Sequence, residues 1–240
     1  MTITERRRLA GSLRGPVTGA AAQFAQLAVL SAWWGIGLVG WLAGTVYALV
    51  STTLLAVALW RSATRRLGPA NAVTLARATL VGSVTTLVVV DVAGRPVDTV
   101  VLVAIATVAL VLDAVDGWVA RATGTTSSLG ARFDMEVDAF LIAVLSVYLA
   151  PSLGPWVLAI GGMRYAFVGA GWVLPWLRGP LPPSFARKTV AAMQGVLLVA
   201  AGSGAVGRVV ATLLAGLALV LLAWSFGRDV AWLWRRWAGA

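Results

Sequence analysis

An all-α, polytopic transmembrane helical bundle is the fold class that this 240-residue sequence predicts, and three observations lead there. Only 12% of the residues are charged while 60% are hydrophobic, and the mean hydropathy is +0.88, outside the usual range of soluble domains. Apolar stretches of the ~20 residues that a helix needs to cross hydrocarbon recur between residues 24 and 227. The ten-residue alternation of a membrane β-barrel is absent.

Taken in order, the predicted spans are 24–40, 42–60, 72–91, 98–120, 129–150, 155–177, 186–203 and 207–226. The first two contain no charge and are broken only by Gly35, Gly37, Gly40 and Gly44, so they read as a hairpin or as one long tilted helix. The rule that cytoplasmic flanks hold the excess Arg and Lys decides for the hairpin. Arg6, Arg7, Arg8 and Arg14 precede it and Arg61, Arg65 and Arg66 follow it, so the chain must cross an even number of times between them. Continuing the alternation leaves only Arg95 and Arg208 in outer loops and gives eight helices with both termini cytoplasmic. Residues 1–67 are thus a basic N-terminus plus a hairpin, and 68–227 are a six-helix unit. Residues 228–240 form a basic, Trp-rich end too short to span, which suits the membrane surface. Trp33, Trp34, Trp41, Trp156, Trp172, Trp176, Trp232, Trp234 and Trp237 fall mostly near span ends, as interfacial anchors do.

The formal charge of +10 sits in arginine clusters beside apolar segments, which points to anionic lipid headgroups and away from nucleic acid. The N-terminal basic and apolar run lacks a typical cleavage site, so it reads as retained. With no cysteine there is neither a disulfide framework nor a thiolate metal site. With no histidine, any general base is a carboxylate, a lysine or a tyrosine, and any metal site uses oxygen ligands, which favours hard cations.

Five of the nine acidic residues lie between positions 113 and 138: Asp113, Asp116, Asp134, Glu136 and Asp138. A carboxylate at depth costs at least ~2.5 kcal/mol, so such a cluster implies a compensating cation or a wet cavity. Residues three or four apart share a helical face, which pairs Asp113 with Asp116 and Asp134 with Asp138. Glu136 lies about 200° from Asp134 and points elsewhere. If the two helices pack antiparallel, four oxygen donors surround a pocket suited to one or two divalent cations. Gly117 and Gly130 each lie four residues from an aspartate, baring backbone to an approaching phosphate or nucleotide, and Arg121 offers a fork of donors to phosphate oxygens. The rival readings are arginine-paired carboxylates that fix helix packing, and a cation transporter with acidic groups along its path. Clustering on one helix pair near one face speaks against a transport path.

Read in order, Asp113-x-x-Asp116-Gly117-x-x-Ala120-Arg121, eight residues, Gly130, three residues, Asp134, three residues, Asp138 fits the pattern D-x-x-D-G-x-x-A-R-x8-G-x3-D-x3-D. At every fixed position this resembles the CDP-alcohol phosphotransferase (CDP-alcohol phosphatidyltransferase) family, class I, and the resemblance covers about residues 68–227. The stretch Pro69 to Arg77 is similar to that family's motif P-N-x-x-T-x-x-R, with Ala70 inserted between Pro69 and Asn71. The resemblance implies a metal-dependent membrane enzyme of phospholipid synthesis, which moves a phosphatidyl group from CDP-diacylglycerol to a small alcohol and releases CMP. By resemblance Asp113, Asp116 and Asp134 hold Mg2+ or Mn2+, two ions in all, and Asp138 is both ligand and general base. Gly117, Arg121, Ser127, Asn71, Thr74 and Arg77 would contact CDP-diacylglycerol.

Arg164 lies near the middle of a span, where an unpaired guanidinium is expensive, so it either pairs with the acidic cluster or anchors a phosphorylated acceptor. Arg132, Arg187 and Lys188 fall at the same cytoplasmic level in the predicted topology. A phosphorylated acceptor follows, glycerol 3-phosphate first, with inositol phosphate and phosphatidylglycerol as alternatives. Arg187, Lys188, Thr189 and Gln194 resemble the glycerophosphate-using branch. The partners expected are therefore CDP-diacylglycerol, the acceptor alcohol, membrane lipids and, as an open option, a second copy of the chain. The setting expected is a bacterial cell membrane with the site on the cytoplasmic side.

Overall fold

The computed structural model describes residues 3–61, 69–123 and 128–239, with side chains described over 15–57, 73–115 and 130–239. These residues form eight α-helices and no strand: α1 (Ile3–Trp34), α2 (Gly37–Arg61), α3 (Pro69–Val92), α4 (Thr99–Thr123), α5 (Ser128–Leu153), α6 (Leu158–Val173), α7 (Phe185–Gly202) and α8 (Arg208–Ala238). Single turns of 3-10 helix at Pro155–Val157 and Pro175–Arg178 flank α6. The chain divides within α5 into two compact units, Met1–Leu141 and Ile142–Ala240.

In the first unit α1 and α2 pair as a hairpin, and both pack on α3, which in turn packs on α4. The hairpin turns at Gly35 and Gly37, whose φ values of 60° and 62° lie in the left-handed region that favours glycine. The predicted break near residue 41 is thus displaced. Gly40 and Gly44 serve packing instead, since a Cβ there would press on Val90 and on Leu27 and Thr86 respectively. At the same end Asp98 caps α4, its Oδ1 accepting from the backbone N–H of Val100 at 2.8 Å and of Val101 at 3.4 Å.

In the second unit α7 packs on α8. Gln194 is fully buried there and donates Nε2 to the Ala218 carbonyl at 3.0 Å. Gly161 lets α6 approach α5 so closely that a Cβ would come within 2.5 Å of Ala143 Cα. Trp176, Trp234 and Trp237 cluster, with ring centroids 5.2 to 6.5 Å apart. The residues of the expected surface-lying end do not break from the preceding span, and α8 runs unbroken through them to Ala238.

Among the described residues five helical stretches are long and apolar enough to cross a membrane: Gly37–Val57, Val73–Val92, Gly130–Leu153, Pro155–Val173 and Arg208–Ala238. In α4 the apolar stretch found among the described residues is Thr99–Val115, within a helix that continues to Thr123. The outward faces are apolar. On α2, Leu38, Leu42, Val46, Leu49 and Leu54 are all more than half exposed, an arrangement that lipid accommodates and water does not. The chain is an integral membrane protein by this composition, length and placement of apolar surface.

Candidate active site

The acidic residues singled out by spacing converge in the first unit. One oxygen from each of Asp113 on α4 and Asp134 and Asp138 on α5 lies within 4.8 Å of the other two. The fourth residue of the predicted set, Asp116, lies on α4 one turn beyond Asp113, and its side chain is outside those described. Glu136 is exposed and is not one of the trio.

A guanidinium from a third helix gathers the three carboxylates. Arg77 on α3 donates Nη1 to Asp113 Oδ1 and Nη2 to Asp134 Oδ1, both in close contact, and its Nη2 lies 3.3 Å from Asp138 Oδ1. The same Nη2 donates to the Asp134 backbone carbonyl at 3.2 Å. Arg77 is 1% exposed, whereas the three carboxylates are 34% to 37% exposed. The positive charge is therefore enclosed behind a negative face that stays open. Three carboxylates thus meet around one guanidinium, a predominantly acidic group of oxygen donors of the kind a divalent cation favours. Oxygen-only donors at this separation fit a hard divalent cation.

A model of the family described as CDP-alcohol phosphatidyltransferase matches residues 67–227, about two thirds of the chain. The chain belongs to the CDP-alcohol phosphatidyltransferase family. No curated protein and no solved structure matches it. Membership assigns it to the transferases of phospholipid synthesis that use a CDP-alcohol and an alcohol acceptor. The match begins just before α3 and ends within α8, so the α1–α2 hairpin lies outside it.

The remaining residues selected from the sequence distribute as follows. Thr74 is buried on α3, one turn before Arg77. Asn71, Gly117 and Arg121 lie in α3 and α4 with side chains outside those described, and Ser127 lies outside the described residues. Arg132 is exposed on α5. In the second unit Arg164 is half-buried on α6 and Lys188 is exposed on α7. Arg187 donates Nη1 to Asp229 Oδ2 at 3.0 Å and Nη2 to the Pro182 carbonyl at 2.7 Å.

Two features escaped sequence reasoning. The grip of Arg77 on all three aspartates joins residues up to 61 positions apart, and no local pattern announces it. Asp229, which holds Arg187 and lies 3.9 Å from Arg228, had a signal that went unread. It is the sole acidic residue after Asp138, in a stretch rich in arginine.

Proposed function

We propose that this transferase moves the phosphatidyl group of CDP-diacylglycerol onto glycerol 3-phosphate and releases CMP. The observation that carries the proposal is the convergence of Asp113, Asp134 and Asp138 on one open acidic face. Asp113, Asp116 and Asp134, with Asp138, would hold the divalent cations, which when bound neutralise the diphosphate and ease departure of CMP. Among the three described carboxylates Asp138 stands farthest from Arg77, at 3.3 Å, and is the most exposed. That supports its role as the base. The acceptor oxygen attacks the β-phosphorus, its proton passes to the Asp138 carboxylate, and the bond from the β-phosphorus to the CMP oxygen breaks. Arg77, by resemblance a CDP-diacylglycerol contact, is 1% exposed and is assigned instead to fixing the carboxylates from behind, while Asn71, Thr74, Gly117, Arg121 and Ser127 bind the nucleotide and diphosphate.

A phosphorylated acceptor is supported by the cationic residues of the chain, Arg132, Arg164, Arg187 and Lys188. Arg187 and Arg228 share the single carboxylate of Asp229, which leaves a positive surplus suited to a phosphate. Labelled CDP-diacylglycerol offered with glycerol 3-phosphate, inositol phosphate or phosphatidylglycerol tests the assignment. We expect label in phosphatidylglycerol phosphate and none once a chelator is in excess. Transfer to another acceptor alone would correct the acceptor, and no CMP release with any acceptor would overturn the proposal.

The distribution of Arg and Lys supports a cytoplasmic site with both termini inside. An impermeant thiol reagent added from outside should label Ser152→Cys and spare Ser127→Cys. The reverse pattern would invert the topology.

A further inference from the structure

The α1–α2 hairpin lies outside the family match, yet it fastens to α3 at residues within two turns after Arg77. Gln26 on α1 donates Nε2 to Thr79 Oγ1 at 3.2 Å and accepts from Ser83 Oγ at 2.7 Å. Tyr47 on α2 donates its hydroxyl to the Ala78 carbonyl at 2.7 Å, one residue beyond Arg77. The Tyr47 ring also lies 5.7 Å, centroid to centroid, from Phe140, two residues beyond Asp138 on α5. One side chain thus touches the helix that carries Arg77 and the helix that carries Asp134 and Asp138.

The neighbouring sequence makes room for that contact. A Cβ on Gly82 would lie 2.5 Å from Tyr47 Cε1 and would also strike Gln23 Oε1, so the bare backbone of α3 is what admits the ring. The hydroxyl and ring contacts constrain the height and rotation of α3 relative to α5. Those two quantities decide whether the planar fork of Arg77 meets its carboxylates squarely. A site of this kind is sensitive to small displacements, since about 1 Å of misplacement costs ~10²-fold in rate.

We infer that Tyr47 is a positioning residue of the transfer site, which from outside the family core holds Arg77 on α3 in register with Asp134 and Asp138 on α5. The inference rests on the reading of the aspartate trio as the transfer site. It gives the hairpin a part in catalysis without placing any of its residues on the substrate. A hairpin that merely stabilised the fold would change how much protein folds and leave the turnover of folded protein, and its dependence on Arg77, unaltered.

The test uses the full chain in lipid–detergent micelles, with kcat, the KM for CDP-diacylglycerol and the thermal unfolding midpoint measured together. Tyr47→Phe keeps the ring and removes the hydroxyl, and Gly82→Ala keeps the tyrosine and displaces its ring. Each is measured alone and combined with Arg77→Lys. Tyr47→Phe should lower kcat about tenfold while KM stays within about twofold, a loss below that of a full 1 Å displacement. Combined with Arg77→Lys it should lower kcat no further than Arg77→Lys does alone, because the two act through one geometry. Losses that multiply in the double variants would overturn the inference, as would wild-type kcat in Tyr47→Phe beside a strong loss in Arg77→Lys. Should Gly82→Ala fail to fold, Tyr47→Phe decides alone. Wild-type kcat in Arg77→Lys would overturn the reading of the site itself, and the inference with it.

Discussion

In the first compact unit one guanidinium faces three carboxylates, and in the second one carboxylate, Asp229, faces two guanidinia. Burial is reversed along with the count. Arg77 is enclosed while its aspartates are about a third exposed; the Asp229 side chain is 12% exposed while Arg187 and Arg228 are 32% and 38% exposed. In each cluster the minority charge lies inside and the majority charge is presented outward. A low-dielectric interior makes an unpaired charge expensive, so the enclosed member is the one with partners to spare. The same ionic parts therefore make an acidic face in one unit and a basic face in the other.

The largest effects should come from the acidic face. Asp113→Asn removes charge from a proposed metal ligand, so CDP-diacylglycerol binding and turnover should both fail, measurable by equilibrium binding and CMP release. Retained binding at wild-type affinity would separate Asp113 from the cation. Asp138→Asn should lower turnover by about 10²- to 10⁴-fold, the range of a lost general base, while substrate binding persists in part.

Stability should distinguish the enclosed members next. Arg77→Ala removes the enclosed guanidinium that three carboxylates share and should cost about 3–5 kcal/mol, with the loss eased by added Mg2+ and deepened by chelator. Asp229→Ala removes a side chain with one close guanidinium contact, at 3.0 Å, and a second at 3.9 Å, so a smaller loss of about 1 kcal/mol is expected. Thermal unfolding in both variants checks the order, and an Asp229→Ala loss exceeding that of Arg77→Ala would reverse the account of burial.

How much of this was legible in the sequence depends on the range of the interaction concerned. The eight helices follow from apolar stretches and from Arg placement, both local properties. The aspartates were legible as a cluster because a three- or four-residue spacing puts side chains on one helical face, and the structure brings Asp113, Asp134 and Asp138 together. The turn of the hairpin was not placed correctly, because glycine at Gly40 and Gly44 signals close packing as readily as a turn. Only the backbone φ at Gly35 and Gly37 separates the two uses. The roles of Arg77, Tyr47 and Asp229 depend on which helices meet, information that spacing along one helix does not carry.

The smallest effect belongs to Glu136→Gln. Glu136 sits in the motif by sequence, but it is exposed and outside the trio, so turnover should stay within about twofold of wild type. A Glu136→Gln enzyme without activity would mean that α5 presents another face to the substrate.

The central claim is that Asp113, Asp134 and Asp138 form one cation site, and Mn2+ binding to the purified chain, followed by electron paramagnetic resonance, tests it most directly. The wild-type chain should take up Mn2+ with loss of the free-ion signal, and Asp134→Asn should leave that signal undiminished at the same concentrations. Equal uptake by Asp134→Asn and wild type would contradict the claim, because the cation would then be held elsewhere.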